Sequence, residues 1–269
     1  MISRGRVAVE GVRPAVQPAG FAAKGVRGQV TQFSADIFAD GHDRLVAWAA
    51  AWPTDDPARR REVPLVAAVN DRWLGELIPD VVGPWSFEIG AMVDRYGTWL
   101  HNVAIKLAAE QPIDLELEEG RILLEARLAD TADRATAATL RKLLRVLGGK
   151  DDPAERVRSA GTAVVVDLMR RTAPREAATI VGPLPLWVDR ELAGFSAWYE
   201  MFPRSEGATT TRSGNFRTAA RRLRDVAAMG FDIVYLPPIH PIGESFRKGP
   251  NNSLTAAPGD PGSPWAIGS

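Results

Sequence analysis

The sequence predicts a multi-domain chain: an N-terminal β-sandwich with an inserted α-helical bundle, followed by a strand–helix–strand unit. Three observations predict it. Apolar residues follow strand-like patterns from about residue 6 to residue 89. Between about Ala91 and Thr179 the period changes to 3.6, the spacing of amphipathic helices. Near the end, an amphipathic stretch and Gly230 lead into the apolar run Phe231 to Leu236, as expected of a strand buried on both faces of a parallel sheet.

In the first part, Gln29 to Phe38 alternates, and Leu45 to Trp52 is an apolar run stopped by Pro53. The charged stretch Thr54 to Glu62 reads as a loop. Val63 to Val69 and Arg72 to Ile78 flank Asn70-Asp71, two residue types that tolerate positive φ and so suit a hairpin turn. Pro84 to Ile89 puts Trp85, Phe87 and Ile89 on one face and Ser86 and Glu88 on the other. Short strands at this spacing predict a sandwich.

Met92, Tyr96, Trp99, Val103 and Leu107 form one helical stripe. Leu115, Ile122, Leu123 and Leu128 form a second, and Leu140, Leu143, Leu144 and Leu147 a third that ends at Gly148-Gly149. Asp152-Pro153 is a helix start, with Val157, Val164, Leu168 and Met169 following as a fourth helix. Four helices with short links predict a bundle. Pro183 to Asp189 alternates again, so the bundle reads as an insertion and this strand as a return to the sandwich. The expected boundaries are 1–90 plus 181–191 for the sandwich and 91–180 for the four-helix bundle. From residue 192 the strand Phe195 to Phe202, the helix Asn215 to Met229 and the strand Phe231 to Leu236 make a βα-β unit, the seed of an α/β barrel or a doubly wound sheet.

Composition narrows the function. The 269 residues carry 33 Lys plus Arg and 33 Asp plus Glu, so no net charge favours nucleic acid or an anionic membrane over the whole surface. With no cysteine, disulfides, thiolate metal sites and cysteine catalysis are excluded. His42, His101 and His240 are far apart, which argues against a histidine metal site, and no cofactor or metal is expected. No secretory signal or run of 18 apolar residues is present, and a soluble cytoplasmic protein is the expectation.

No dinucleotide-binding, Walker, nucleophile-elbow or zinc-protease motif occurs. The acidic pairs Asp55-Asp56, Glu118-Glu119 and Asp151-Asp152 read as solvated. The informative stretch follows the last strand: Leu-Pro-Pro-Ile-His-Pro at 236–241, Arg-Lys-Gly-Pro-Asn-Asn at 247–252, and Gly-Ser-Pro-Trp at 262–265. A polar loop leaving the carboxyl end of a parallel strand is where α/β enzymes place ligands. Lys248 beside two amides suits an anion together with sugar hydroxyls. Trp265 suits either a sugar ring or packing, and His240 either catalysis or the ordering of its turn. Trp73 and Trp85 read as core residues or, if exposed, as a glucan-binding surface.

The motifs also carry a resemblance. Phe195 to Ser205 looks like the first barrel strand of the α-amylase superfamily, and Ala228 to Pro238 like its junction of helix and second strand. Trp-Tyr-Glu-Met-Phe-Pro-Arg-Ser at 198–205, the loops above, Val69 to Trp73 and Val93 to Trp99 together resemble the bacterial α-1,4-glucan:maltose-1-phosphate maltosyltransferases. The resemblance implies that 192–269 opens a catalytic (β/α)8 barrel, truncated here, because such a barrel needs roughly 250 residues. The chain is then expected to be an N-terminal fragment, inactive alone. It further implies retaining transfer of maltosyl from α-maltose 1-phosphate to an α-1,4-glucan, with both catalytic carboxyl groups beyond Ser269. Lys248 maps to the donor-contacting lysine, with Asn252 and Ser263 near the same pocket. A homodimer through the sandwich and the bundle is implied as well. Another hydrolase or transglycosylase of the superfamily and a non-catalytic glucan-binding or dimerising module are the alternatives.

Overall fold

The computed structural model of the chain describes residues 6–16, 20–263 and 265. It divides into two compact units, 1–189 and 190–269.

The first unit is built on one eight-stranded mixed sheet, in the order β1-β3-β6-β5-β4-β7-β8-β2. Its strands are β1 (Val7–Arg13), β2 (Ala23–Val26), β3 (Thr31–Ala39), β4 (Leu45–Pro53), β5 (Arg61–Ala67), β6 (Arg72–Leu77), β7 (Gly83–Val93) and β8 (Thr179–Asp189). All neighbours pair antiparallel except β2 with β8. The β5–β6 hairpin turns at Asn70 and Asp71, with φ of 54° and 56°, the doubly left-handed turn that matches strand twist.

The sheet encloses its core by bringing its two halves together. Phe33 and Ile37 of β3 share one apolar cluster with Trp85, Phe87 and Ile89 of β7 and with Leu186 and Val188 of β8. The rings of Phe33 and Phe87 lie 5.1 Å apart. The Thr179 hydroxyl donates to the Val7 carbonyl at 2.6 Å, tying β8 to β1. Strand β4 is buried on both faces: Ala47, Ala49 and Ala51 line the main core, while Trp48 and Ala50 join Met92 and Ala178 in a second cluster. Gly90 pairs with Trp48, and a Cβ at Gly90 would overlap the indole ring, so the glycine makes room for the tryptophan.

Five helices, not four, separate β7 from β8. They are α1 (Arg95–Ala108), α2 (Asp114–Ala129), α3 (Arg134–Leu147), α4 (Pro153–Ala160) and α5 (Ala163–Arg171). The expected fourth helix is broken at Gly161-Thr162, where the chain leaves one helix and Thr162 opens the next. Met92 belongs to β7 rather than to the first helical stripe. Asp94 begins α1 by accepting the Gly97 amide at 2.8 Å. On α2, Leu115 and Ile122 lie outward, and Leu117, Gly120 and Leu124 form the buried face. A side chain at Gly120 would overlap Trp99, whose indole N–H donates to the Glu116 carbonyl at 2.6 Å. Trp99, Val103, Leu124, Leu140, Leu147 and Ala160 make the helical core. Among the described residues, no helix is long and apolar enough to cross a membrane.

The second unit holds β9 (Trp198–Glu200), α6 (Phe216–Ala228) and β10 (Ile233–Tyr235). The two strands pair in parallel, Ile233 with Trp198 through Tyr235 with Glu200. They are shorter than the apolar runs 195–202 and 231–236 suggest, because only these three residue pairs form a ladder. Asn215 caps α6 by accepting from the amides of Arg217 and Thr218, and the Thr218 hydroxyl accepts in turn from the Asn215 amide. Ala219 and Val226 are buried, whereas Phe216 and Leu223 are exposed. Gly230 ends the helix at a φ of 89°.

Candidate functional site

The chain leaves β10 through Pro237 and Pro238 into a long loop. Two openings lie on this side of the second unit. The smaller, about 260 Å³, gathers Phe202, Pro203 and Arg204 from beyond β9, Asn215 and Phe216 from the start of α6, and Pro237 to His240 with Ile242 from beyond β10. The His240 Nδ1–H donates to the Pro241 carbonyl at 2.8 Å. That bond fixes the ring within its own turn.

The second opening, about 520 Å³, is lined by Lys248 to Asn252 on one side and by Pro261, Gly262, Ser263 and Trp265 on the other. The three candidate residues Lys248, Asn252 and Ser263 therefore line one cleft, although fifteen positions separate the first from the last. Local chemistry explains the shape of the Lys248 side. The Gly249 amide donates to the Ser253 carbonyl and the Ser253 amide to the Pro250 carbonyl, both at 3.1 Å. A Cβ at Gly249 would overlap the Thr255 carbonyl and the Ser253 hydroxyl, so only glycine fits. Asn251 and Asn252 take the left-handed conformation at φ of 54° and 60°, which asparagine adopts at lower cost than most residues.

The side chains are placed for polar recognition. Lys248 is half-buried and has no ion-pair partner among the described residues. Asn252 is exposed and Ser263 half-buried. The Ser263 hydroxyl accepts the Trp265 amide at 3.4 Å. Trp265 is 60% exposed and meets Phe202 edge-on at 5.8 Å, so much of its ring stays open. One ammonium, two amides, a hydroxyl and an indole suit a ligand that combines an anionic group with hydroxyls and an apolar ring face.

Arg247, beside Lys248, was not among the candidates. Its guanidinium donates to the carbonyls of Ile242 (2.8 Å), Gly243 (2.9 Å) and Asp260 (3.1 Å). Its bonds go to backbone oxygens, which no side-chain motif reveals. The glucan-surface reading for Trp85 fails, since Trp85 is 2% exposed in the sheet core, where its neighbours cover it. Trp73 packs against the same core and donates to the Ile37 carbonyl at 3.1 Å.

Comparison with known proteins bears on the whole chain. Residues 5–190 match the family model described as "Alpha-1,4-glucan:maltose-1-phosphate maltosyltransferase, domain N/S". An α-1,4-glucan:maltose-1-phosphate maltosyltransferase of Streptomyces coelicolor is 44% identical over 267 residues, covering 98% of this chain and 40% of that protein. The Pseudomonas aeruginosa protein of that name is 41% identical over 268 residues, covering 100% of this chain and 40% of its own length. The one from Mycobacterium tuberculosis is 38% identical over 295 residues, covering 98% and 42% respectively. The chain thus spans about two fifths of the curated relatives it matches. It belongs to the family of α-1,4-glucan:maltose-1-phosphate maltosyltransferases.

Proposed function

We propose that this chain is the amino-terminal part of a maltosyltransferase that moves a maltosyl unit from α-maltose 1-phosphate to the non-reducing end of an α-1,4-glucan and releases phosphate. The observation that carries the reading is the cleft joining Lys248, Asn252 and Ser263, in a chain of this family. The ammonium of Lys248 offsets charge on the phosphorylated donor. The amide of Asn252 and the hydroxyl of Ser263 supply hydrogen bonds for hydroxyls or phosphate oxygens.

In this reading the eight-stranded sheet is a sandwich, with 91–180 as its inserted bundle. The unit β9-α6-β10 opens a (β/α)8 barrel whose later strands carry the two catalytic carboxyl groups. Transfer with retention then runs in two displacements. A carboxylate attacks the anomeric carbon as phosphate leaves, and the acceptor hydroxyl attacks the glycosyl-enzyme while the partner carboxylate takes its proton. The protein works in the cytoplasm as a homodimer through the sandwich and the bundle.

The test is the full-length protein with α-maltose 1-phosphate and a maltooligosaccharide. Phosphate release matched by a longer oligosaccharide supports the reading. Free maltose in place of the transfer product makes the protein a hydrolase and overturns it. Size-exclusion chromatography with light scattering tests the dimer separately, and a monomer overturns that part alone.

A further inference from the structure

The loop after β10 folds back on itself, and its two branches form opposite walls of the cleft. Lys248 to Asn252 stand on one wall and Gly262, Ser263 and Trp265 on the other. The branches are joined by one side chain. Arg247 sends Nη2 to Ile242 and Nε to Gly243 at the start of the loop, and Nη1 to Asp260, two residues before Gly262. Its aliphatic stem runs under Gly262: a Cβ there would lie 3.1 Å from Arg247 Cγ and 2.7 Å from Ile242 Cγ2. Asp260 is itself held in a tight turn, accepting the Ala257 amide at 2.6 Å through its carboxylate. Only a planar, five-donor group reaches three carbonyls in divergent directions; an ammonium presents its donors at a single point.

We propose that Arg247 is a positioning residue for the donor site: it fastens the start of the loop to Asp260 and so sets Lys248 and Asn252 at working distance from Ser263. This rests on the maltosyltransferase reading above. Arg247 acts through Lys248, so its loss matters only while Lys248 is present. A misplacement of about 1 Å at such a site lowers rate by roughly 100-fold.

The experiment is a double-mutant cycle in the full-length enzyme, with phosphate release from α-maltose 1-phosphate as the readout and thermal unfolding recorded for every variant. Arg247→Ala is expected to lower kcat/KM roughly 10- to 100-fold. Arg247→Lys is expected to recover little of it, because the lysine cannot span the three carbonyls. In the Lys248→Ala background, Arg247→Ala is expected to cost less than about threefold, the mark of two residues acting through one. Millimolar guanidinium is expected to restore part of the activity of Arg247→Ala and none of that of Lys248→Ala. Additive losses in the cycle, or wild-type kinetics for Arg247→Lys, overturn the proposal. Unfolding of both arginine variants at the assay temperature assigns the residue to the fold and overturns it equally. An inactive wild-type enzyme is a different outcome: it rejects the maltosyltransferase reading, and Arg247 then has no donor to position.

Discussion

Lys248 stands half-buried between two asparagines and a serine, with no carboxylate bonded to it among the described residues. A hydrogen bond from a charged donor is worth about 1.5–3 kcal/mol, so Lys248→Ala in the full-length enzyme is expected to lower kcat/KM for α-maltose 1-phosphate by roughly 10- to 150-fold. Steady-state kinetics check this, and an unchanged constant removes the residue from the site. A second residue-scale effect lies far from the cleft. Gly90 faces Trp48 across β4 and β7, and any side chain there would overlap the indole. Gly90→Ala is expected to destabilise the first unit by about 1–3 kcal/mol, the usual cost of overpacking a closed core. A urea midpoint equal to wild type would contradict that. At this scale the motifs made the candidate site legible: Lys248, Asn252 and Ser263 line one cleft. Arg247 opens the same motif, but its role is not legible there, because its acceptors are main-chain carbonyls.

Single caps and breaks decide where the elements begin and end. Asp133 opens α3 by accepting the Thr136 amide at 2.7 Å, and that bond holds its carboxyl below the usual carboxylate range. The folded form therefore prefers the ionised cap. The resulting stability is present above the ordinary aspartate range and is lost as pH falls through the lowered value. Asp133→Asn keeps a capping oxygen but does not titrate, so its thermal midpoint should fall less steeply on acidification than that of the wild type. Parallel acid limbs for the two proteins would show that this cap is not a source of acid sensitivity. Helix α3 was the easiest to read, since its leucines fall on one face and all but Leu144 are buried. On helix α2 the expected stripe is half right: Leu123 and Leu128 pack against the helical core, whereas Leu115 and Ile122 are exposed and the buried face includes Gly120, which periodicity does not count as apolar. The break between α4 and α5 takes two residues, too few to interrupt a 3.6-residue pattern. The run Phe231 to Leu236 predicts a strand buried on both faces, but Ile233 and Val234 are only half-buried and Tyr235 is exposed, and both parallel strands end after three residue pairs because a ladder needs a partner at each position.

The first unit contains its own cores, one inside the sheet, one inside the helices and a smaller one of Trp48, Ala50, Met92 and Ala178. Residues 1–189 expressed alone are therefore expected to unfold cooperatively, with both strand and helix signals lost in the same transition. A gradual, non-cooperative melt would show that the unit depends on sequence beyond it. Function is a property of a larger scale still. The family model covers residues 5–190, the relatives match nearly the whole chain, the candidate cleft lies in the second unit, and the chain spans about two fifths of its curated relatives. The most direct test therefore uses the full-length protein with α-maltose 1-phosphate and a defined maltooligosaccharide, following phosphate and product length together. The expected result is one phosphate released for each acceptor lengthened by a maltosyl unit. Phosphate release accompanied only by free maltose, or no turnover of the phosphorylated donor, would contradict it.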